Sequence, residues 1–134
     1  MIPSDISNLI NLQELEIGFN QIAVLPKEIC TLTKLTRFTA TKNALKTLPS
    51  QMNQLTALEI IDLSYNPLPA IPSSVIGMKN LKTLDVSYNK QLSSFPSEIK
   101  NIKKLRLLNI KNTKITPKQI DELMWLIPDC QIIF

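Results

Sequence analysis

The side chains of this sequence leave few routes to catalysis. The chain has no histidine, so it has no imidazole base, no serine–histidine pair and no histidine metal ligand. Its two glycines, Gly18 and Gly77, are too far apart to form a glycine-rich phosphate-binding loop. One pair of carboxylates, Glu14 and Glu16, would lie about 7 Å apart on one strand face, a spacing that glycosidases use. A carboxylate-based hydrolase is therefore the enzyme class to weigh.

The two cysteines do not predict a metal or cofactor site. Cys30 and Cys130 have no C-x-x-C spacing and no histidine partner, so we expect no metal and no cofactor. No stretch approaches the roughly 20 apolar residues that span a bilayer, and the amino end lacks a basic start followed by an apolar segment. We therefore expect no membrane insertion, and the location of the protein stays open between secreted, surface and cytoplasmic.

An internal repeat predicts the elements that position the other side chains. Five leucines head successive segments spaced 23, 23, 23 and 24 residues apart: Leu12, Leu35, Leu58, Leu81 and Leu105. In each segment the first, fourth and sixth positions are apolar, and the last two alternate with polar neighbours. This alternation predicts a short strand with one buried face in every repeat.

A column of asparagines is predicted where the strands end. An asparagine stands three residues after the sixth position in four repeats: Asn20, Asn43, Asn66 and Asn89. Asparagine donates and accepts hydrogen bonds, so a stacked column can satisfy the backbone at these turns. It would explain how a chain with two glycines and nine prolines turns. The repeated apolar-proline pairs then begin return segments that are long enough only for short 3₁₀ or helical turns.

The pattern L-x-x-L-x-L-x-x-N-x-L-x-x-L-P-x-x-I-x-x-L over residues 12–104 resembles the leucine-rich repeat family. The 23-residue repeats with an L-P pair are similar to those of bacterial proteins, including spirochaete ones, and of some eukaryotic signalling scaffolds. The resemblance implies an α/β solenoid, a right-handed superhelix curved like a horseshoe. Its parallel β-sheet would form the concave side, and short 3₁₀ or helical turns would form the convex side. Members of the family tend to function in protein–protein interaction.

We interpret residues 1–134 as a single domain with three parts. Residues 1–11 form a partial amino-terminal repeat, residues 12–115 form five repeats and residues 116–134 form a carboxy-terminal cap. Thr116, Pro117 and Gln119 predict a capped helix that runs to about residue 127. One apolar stripe of this helix is expected to cover the last repeat: Ile120, Leu123, Met124 and Ile127.

Apolar residues recur at every second position of residues 130–134, and this alternation predicts a sixth strand in the cap. We expect Cys130 to be buried beside that strand, and Trp125 to pack sideways over the last repeat or, as the alternative, to contact a partner. Parallel strands stack about 4.8 Å apart, so Cys30 and Cys130 would lie roughly 20 Å apart and form no disulfide. No residues resemble a polar cap at the amino end. Either the chain is trimmed from a longer one, or a partner or a second copy covers that end, which makes a homo-oligomer possible.

The concave face carries the candidate partner-binding residues. Strands centred on the fourth to sixth positions would project the third, fifth, seventh and eighth positions to this face. The candidates are Phe19, Arg37, Lys42, Ile60, Asp62, Tyr65, Asp85 and Tyr88. Adjacent Asp62 and Asp85 either form an acidic spot for a basic partner group or are relieved by neighbouring arginine or lysine. The aromatic rings either anchor a partner or pack on one another, and Lys42 can stack on either neighbouring ring.

These patterns favour a non-catalytic module that binds a protein partner of unknown identity on the concave sheet. An open arc of five strands has no deep cleft that would raise the pKa of Glu14 or Glu16, which disfavours the hydrolase. Nucleic acid is not expected, because the net charge of +4 is modest and the basic cluster lacks interleaved aromatics. That cluster is Lys100, Lys103, Lys104 and Arg106. The alternative is a structural or self-associating fragment of a longer repeat protein.

Overall fold

Six short parallel strands form one sheet in the computed structural model, which describes all 134 residues. The strands are β1 Glu14–Glu16, β2 Arg37–Thr39, β3 Ile60–Asp62, β4 Thr83–Asp85, β5 Leu107–Asn109 and β6 Gln131–Ile133. Their order in the sheet is their order in the chain. Equivalent positions of neighbouring repeats pair across every junction from β1 to β5. The predicted parallel sheet, with one strand in each repeat, is confirmed.

The return segment that precedes each of strands β1 to β5 is a 3₁₀ helix. These helices span Ser4–Asn8, Lys27–Thr31, Ser50–Gln54, Ser73–Val75 and Ser97–Asn101. A proline precedes each one, with φ between −54° and −73°. The proline ring holds φ in this range and has no N–H to leave without a partner. The predicted short turns are therefore confirmed.

The apolar positions of the repeats stack into one continuous core of 30 buried residues. In the second, third and fourth repeats, the first, fourth and sixth positions are completely buried. The equivalent residues of the first repeat, Leu12, Leu15 and Ile17, are only partly buried. The amino-terminal end of the core is thus the open one, in line with the absence of a polar cap there.

The asparagines form the predicted hydrogen-bonded column. Asn66 Oδ1 accepts from the Leu45 N–H at 3.0 Å, and Asn66 Nδ2 donates to the Ala40 and Leu63 carbonyls at 2.9 and 3.1 Å. Asn43 and Asn89 make the same set of bonds in their own repeats. Each asparagine therefore bonds to backbone groups of its own repeat and of the preceding one. The column joins the coils at the point where the sheet hydrogen bonds stop.

The column ends in the fifth repeat. The Thr113 hydroxyl donates to the Ile110 carbonyl at 2.8 Å and stays within its own repeat, because it lacks the reach and the second donor of an amide. The extra residue that follows Asn89 is absorbed in a local turn, which the Leu92 N–H closes by donating to the Asn89 carbonyl at 2.9 Å.

The carboxy-terminal cap forms as a helix followed by a strand. Helix α1, Pro117–Leu126, has a complete capping box between Thr116 and Gln119, and the Gln119 amide also donates to the Ser93 carbonyl at 2.9 Å. Strand β6 pairs with β5. Leu123 and Ile127 are buried against the last repeat. The cap therefore covers this end of the core as predicted.

Three details of the cap differ from the prediction. Met124 is 49% exposed and Trp125 is 79% exposed. The helix buries the narrower stripe through Leu123 and Ile127, so Met124 lies on its flank and Trp125 on its far side. Cys130 is only half-buried, because β6 is the last strand and has no neighbour beyond it. It is nevertheless a free thiol, as is Cys30.

Replacing Gly77 with alanine is expected to lower the free energy of unfolding by about 1–3 kcal/mol. A Cβ atom at Gly77 would lie 2.7 Å from the Cβ of Asn53 in the preceding return segment, so one backbone segment would have to move. Denaturant unfolding measures the change. The matched control is Asn53→Gly, which removes the opposing atom: most of the loss should be recovered in the double variant, and equal losses with and without Asn53→Gly would contradict the steric cause.

Candidate functional site

The candidate residues come together on the solvent-facing side of the sheet, which we call the sheet face. It consists of the third, fifth and eighth positions of the five repeats. Arg37 pairs with Ile60, and Asp62 pairs with Asp85 on the next strand. The eighth-position side chains follow the strands in a neighbouring column: Phe19, Lys42, Tyr65, Tyr88 and Asn112. All eight predicted site residues thus lie in these three columns.

In the third and fourth repeats the seventh position does not belong to the sheet face. Ser64 and Ser87 are buried, although the strand alternation predicts that they project to the concave side. The strands end at the fifth position, so the alternation does not continue to the seventh. The chain has already turned inward at these serines.

The two aspartates are stabilised by donors of their own chain segments. Asp62 Oδ1 accepts from the Ser64 N–H at 2.9 Å, and Asp85 Oδ1 accepts from the N–H and hydroxyl of Ser87 at 2.9 and 2.6 Å. Asp85 Oδ2 also accepts from Asn109 Nδ2 at 3.0 Å. Neither aspartate forms an ion pair with an arginine or lysine, since the one ion pair of the structure joins Lys82 and Glu59. The spacing Asp-x-Ser, which recurs in both repeats, is the signal that identifies this turn.

The eighth-position side chains form a stack, which we call the aromatic column. The rings of Tyr65 and Tyr88 lie with centroids 4.2 Å apart and planes 6° apart. The Lys42 ammonium lies 4.6 Å from the centre of the Phe19 ring and 5.3 Å from that of Tyr65. The predicted stacking of Lys42 and the packing of rings on one another are confirmed. Phe19 is still 73% exposed and Tyr65 43% exposed, so the column presents aromatic surface to solvent.

Every residue of the aromatic column has a left-handed backbone. The φ angles are 59° at Phe19, 53° at Lys42, 55° at Tyr65, 57° at Tyr88 and 55° at Asn112. The asparagines do not, then, remove the need for positive φ; non-glycine residues supply it instead. Aromatic and lysine side chains adopt this conformation at a cost of about 1–2 kcal/mol each, which the stack and the asparagine bonds offset. Asn112, a residue type that tolerates this region, is the one sequence signal for it.

Replacing Tyr65 with glycine is expected to destabilise the fold less than replacing it with alanine, by about 1 kcal/mol. Both changes remove the ring from the stack, whereas only glycine relieves the strain at φ 55°. Urea unfolding of the two variants measures this difference, which is the free-energy cost of the left-handed backbone at this position. An alanine variant that is as stable as the glycine variant would show that the left-handed backbone is not a strained one at this position.

The sheet face differs in charge from the rest of the molecule. It holds four carboxylates, at Glu14, Glu16, Asp62 and Asp85, and two cations, at Arg37 and Lys42. Its net charge is thus −2, while that of the chain is +4. Partial burial raises the pKa of Tyr65, and the Tyr88 hydroxyl and the Asp85 carboxylate raise it further. The phenol therefore stays neutral at physiological pH and adds no negative charge.

Charged residues and cysteines away from the two aspartates and the aromatic column show no comparable arrangement. Glu14 and Glu16 are exposed on the edge strand β1. In the basic cluster, Lys104 Nζ bonds to Asn80 Oδ1, and the Arg106 guanidinium donates to two backbone carbonyls. Burial raises the pKa of Cys130 to about 11 against the opposing effect of Arg106, so this thiol is protonated at neutral pH. A protonated thiol is a poor nucleophile and a poor metal ligand.

Comparisons with known proteins agree with the repeat pattern. Family models described as leucine rich repeat match residues 10–68 and 80–102, which together are more than half of the chain. No curated protein matches the sequence. None of the helices has the length and apolar content that crossing a membrane requires.

Solved structures show the same fold over nearly the whole chain. A leucine-rich repeat protein of Leptospira interrogans is 29% identical with a TM-score of 0.75, and the match covers 100% of this chain and 40% of that one. The plant peptide hormone receptor RGFR1, solved in complex with RGF2, is 28% identical with a TM-score of 0.81 over 99% of this chain and 22% of that one. The functional domain of InlJ from Listeria monocytogenes is 28% identical with a TM-score of 0.71, over 84% and 23%.

The chain therefore spans less than half the length of these three structures. The chain shares with these structures the fold of its repeats, in which each coil consists of a strand, a turn and a return segment. The family matches, the conserved fold and the stacked parallel strands with their asparagine column show that this chain belongs to the leucine-rich repeat family.

Proposed function

We propose that this module binds a segment of another protein on its sheet face and catalyses no reaction. Leucine-rich repeat proteins are in general interaction modules, and one structural neighbour is a peptide hormone receptor in complex with RGF2. The observation that carries the proposal is the aromatic column beside two aspartates on an open face. Rigid aromatic side chains are enriched among the residues that dominate binding energy at interfaces.

The stacked rings of Tyr65 and Tyr88 suit this role, because they are already ordered before a partner arrives. Their positions are held by each other, by the Lys42 ammonium beside Tyr65 and by the strand register beneath them. A partner that packs on them loses little side-chain entropy of the module. Preordered rings therefore give more affinity per unit of contact area than flexible ones.

The charge of the sheet face indicates a basic partner segment. Asp62 and Asp85 lie on adjacent strands, and the Asp62 carboxylate accepts one hydrogen bond, through Oδ1 alone. Its second oxygen is free to accept from an arginine or lysine of the partner. The face carries −2 in a chain of +4, so its charge attracts a basic segment while the net charge of the remainder of the chain opposes one.

The triple variant Asp62→Asn, Tyr65→Gly, Asp85→Asn is expected to lose partner capture at least tenfold while remaining folded. Asparagine at the two aspartate positions keeps an acceptor for the serine N–H groups, and glycine keeps the left-handed backbone. The measurement is recovery of the captured protein from source lysate by immobilised wild type and variant at equal load, with circular dichroism for the fold.

The matched control is Asp5→Asn, Asp121→Asn, Trp125→Ala, which removes two exposed aspartates and one exposed aromatic residue away from the sheet face. It should capture the partner as well as the wild type does. Equal capture by the sheet-face variant, or equal losses in both variants, would rule out the sheet face as the binding surface. A steep decrease of capture with salt is expected, since exposed charges are screened beyond about 10 Å at 0.1 M.

Self-association is a second candidate function, favoured by the apolar surface at the amino-terminal end. Leu9, Ile10 and Val24 are exposed there, and a largely apolar cavity lies between the chain start and residues 21–26. Strand β1 also has a free edge. A dimer would cover these groups, and sedimentation equilibrium distinguishes it by an apparent mass that rises with concentration; a mass that stays at 15.2 kDa would exclude it.

A further inference from the structure

The aromatic column has five positions, of which the fifth lacks a large side chain. Phe19, Lys42, Tyr65 and Tyr88 each cover a neighbouring member, in contacts of 4.2 to 5.3 Å. Asn112 follows with the same backbone, at φ 55°, but its side chain is short and exposed. No ring or ammonium stacks on Tyr88 from that side. The column therefore ends on an aromatic residue whose outer side has no stacking partner.

An open concavity lies at this fifth position. Its walls are the two stacked tyrosines, Lys90, Asn112 and Thr113. Successive members of the column are about one strand spacing apart, roughly 4.8 Å, so one flat group could stack on Tyr88 in the space above the short Asn112 side chain. The concavity thus continues the spacing of the stack, and Asn112 offers amide hydrogen bonds beneath it.

The charges around the concavity determine which kind of flat group can bind there. Lys90 lines it, Lys111 precedes Asn112 in the chain and no carboxylate is among its walls. A second cation, such as an arginine of the partner, would be repelled by these ammonium groups. An aromatic ring is attracted to them, as the rings of Phe19 and Tyr65 are to Lys42.

We propose that the concavity beside Tyr88 is a binding site for an aromatic side chain, which completes the aromatic column as its fifth ring. The site deepens the proposed function and rests on it, because the ring would belong to the protein segment that the sheet face binds. It divides that segment chemically. A basic group contacts the aspartates, and an aromatic group lies on Tyr88 at the Lys90 side.

The test uses N-acetyl-tyrosine amide as the probe, titrated into the full chain and followed by two-dimensional amide NMR. Saturable shifts are expected at Tyr88, Lys90, Asn112 and Thr113, with a dissociation constant on the order of millimolar for one small group. N-acetyl-arginine amide should produce no such shifts at the same concentration.

Two variants of Asn112 distinguish the effect of filling the concavity from a general effect of substitution on the fold. Asn112→Phe places a ring in the concavity, on a backbone that already accepts Phe19, Tyr65 and Tyr88 at the same φ, and should weaken probe binding at least tenfold. Asn112→Gly leaves the concavity empty and should keep binding within threefold. Absence of the shifts in the wild type, or undiminished shifts in Asn112→Phe, would overturn the proposal.

These outcomes are distinct from failure of the proposed function. Asp62, Tyr65 and Asp85 are unchanged in both Asn112 variants, so loss of capture in the triple variant still tests the sheet face by itself. If the triple variant loses the partner and the probe does not bind, the sheet face stands and the aromatic site is rejected.

Discussion

Replacing Asn66 with alanine is expected to lower the free energy of unfolding by about 2–4 kcal/mol. The change leaves the buried N–H of Leu45 without its acceptor and removes three bonds to carbonyls. These carbonyls keep other donors, so the N–H without an acceptor is the main cost: Ala40 and Leu63 still accept from Asn43 and Asn89, and Ser64 still accepts from the Lys42 N–H. Equilibrium urea unfolding measures the loss.

The control for this change is Asn20→Ala in the first repeat. Asn20 is exposed, and its amide donates to two carbonyls of its own repeat at 3.0 and 2.9 Å. Water can donate hydrogen bonds to these carbonyls equally well. Its loss should therefore cost less than about 1 kcal/mol. Equal costs at Asn20 and Asn66 would show that the asparagines act only within their turns and do not join neighbouring coils.

Replacing Leu123 with alanine is expected to cost about 2–4 kcal/mol, because it opens a cavity between helix α1 and the last repeat. Leu123 is the one fully buried residue of the helix. Met124→Ala is the control, since it deletes a side chain of similar size from the next position, where half of it is exposed. Thermal unfolding of the two variants compares them. A similar loss for both would mean that the cap adds helix stability alone and does not seal the core.

The repeat architecture could be predicted from the sequence because the same local pattern recurs in register. The leading leucine and the alternating apolar pair occur five times and the asparagine four times, and each further copy repeats the same evidence. The cap could be predicted for a different reason, since Thr116, Pro117 and Gln119 are local signals that do not depend on the tertiary structure.

The candidate site was predicted in its membership but not in its geometry. Strand register places Asp62 beside Asp85, so their proximity follows from the 23-residue spacing. The positive φ of Tyr65 does not follow from its residue type, because aromatic residues disfavour that region and only the turn imposes it. The burial of Ser64 does not follow from the sequence either. The strand alternation places it on the concave face and does not indicate that the strand ends two residues earlier.

The unequal cover of the two ends of the core has a consequence for motion. Coils of a solenoid contact only their neighbours, so local opening spreads inward from the end with the least burial. Within these 134 residues the first repeat, whose Leu12 and Leu15 are partly exposed, is expected to open before the coils that helix α1 covers. Phe19 and Lys42 then lie at the end of the surface that opens first, and Tyr88 with Asn112 lie near the end that opens last.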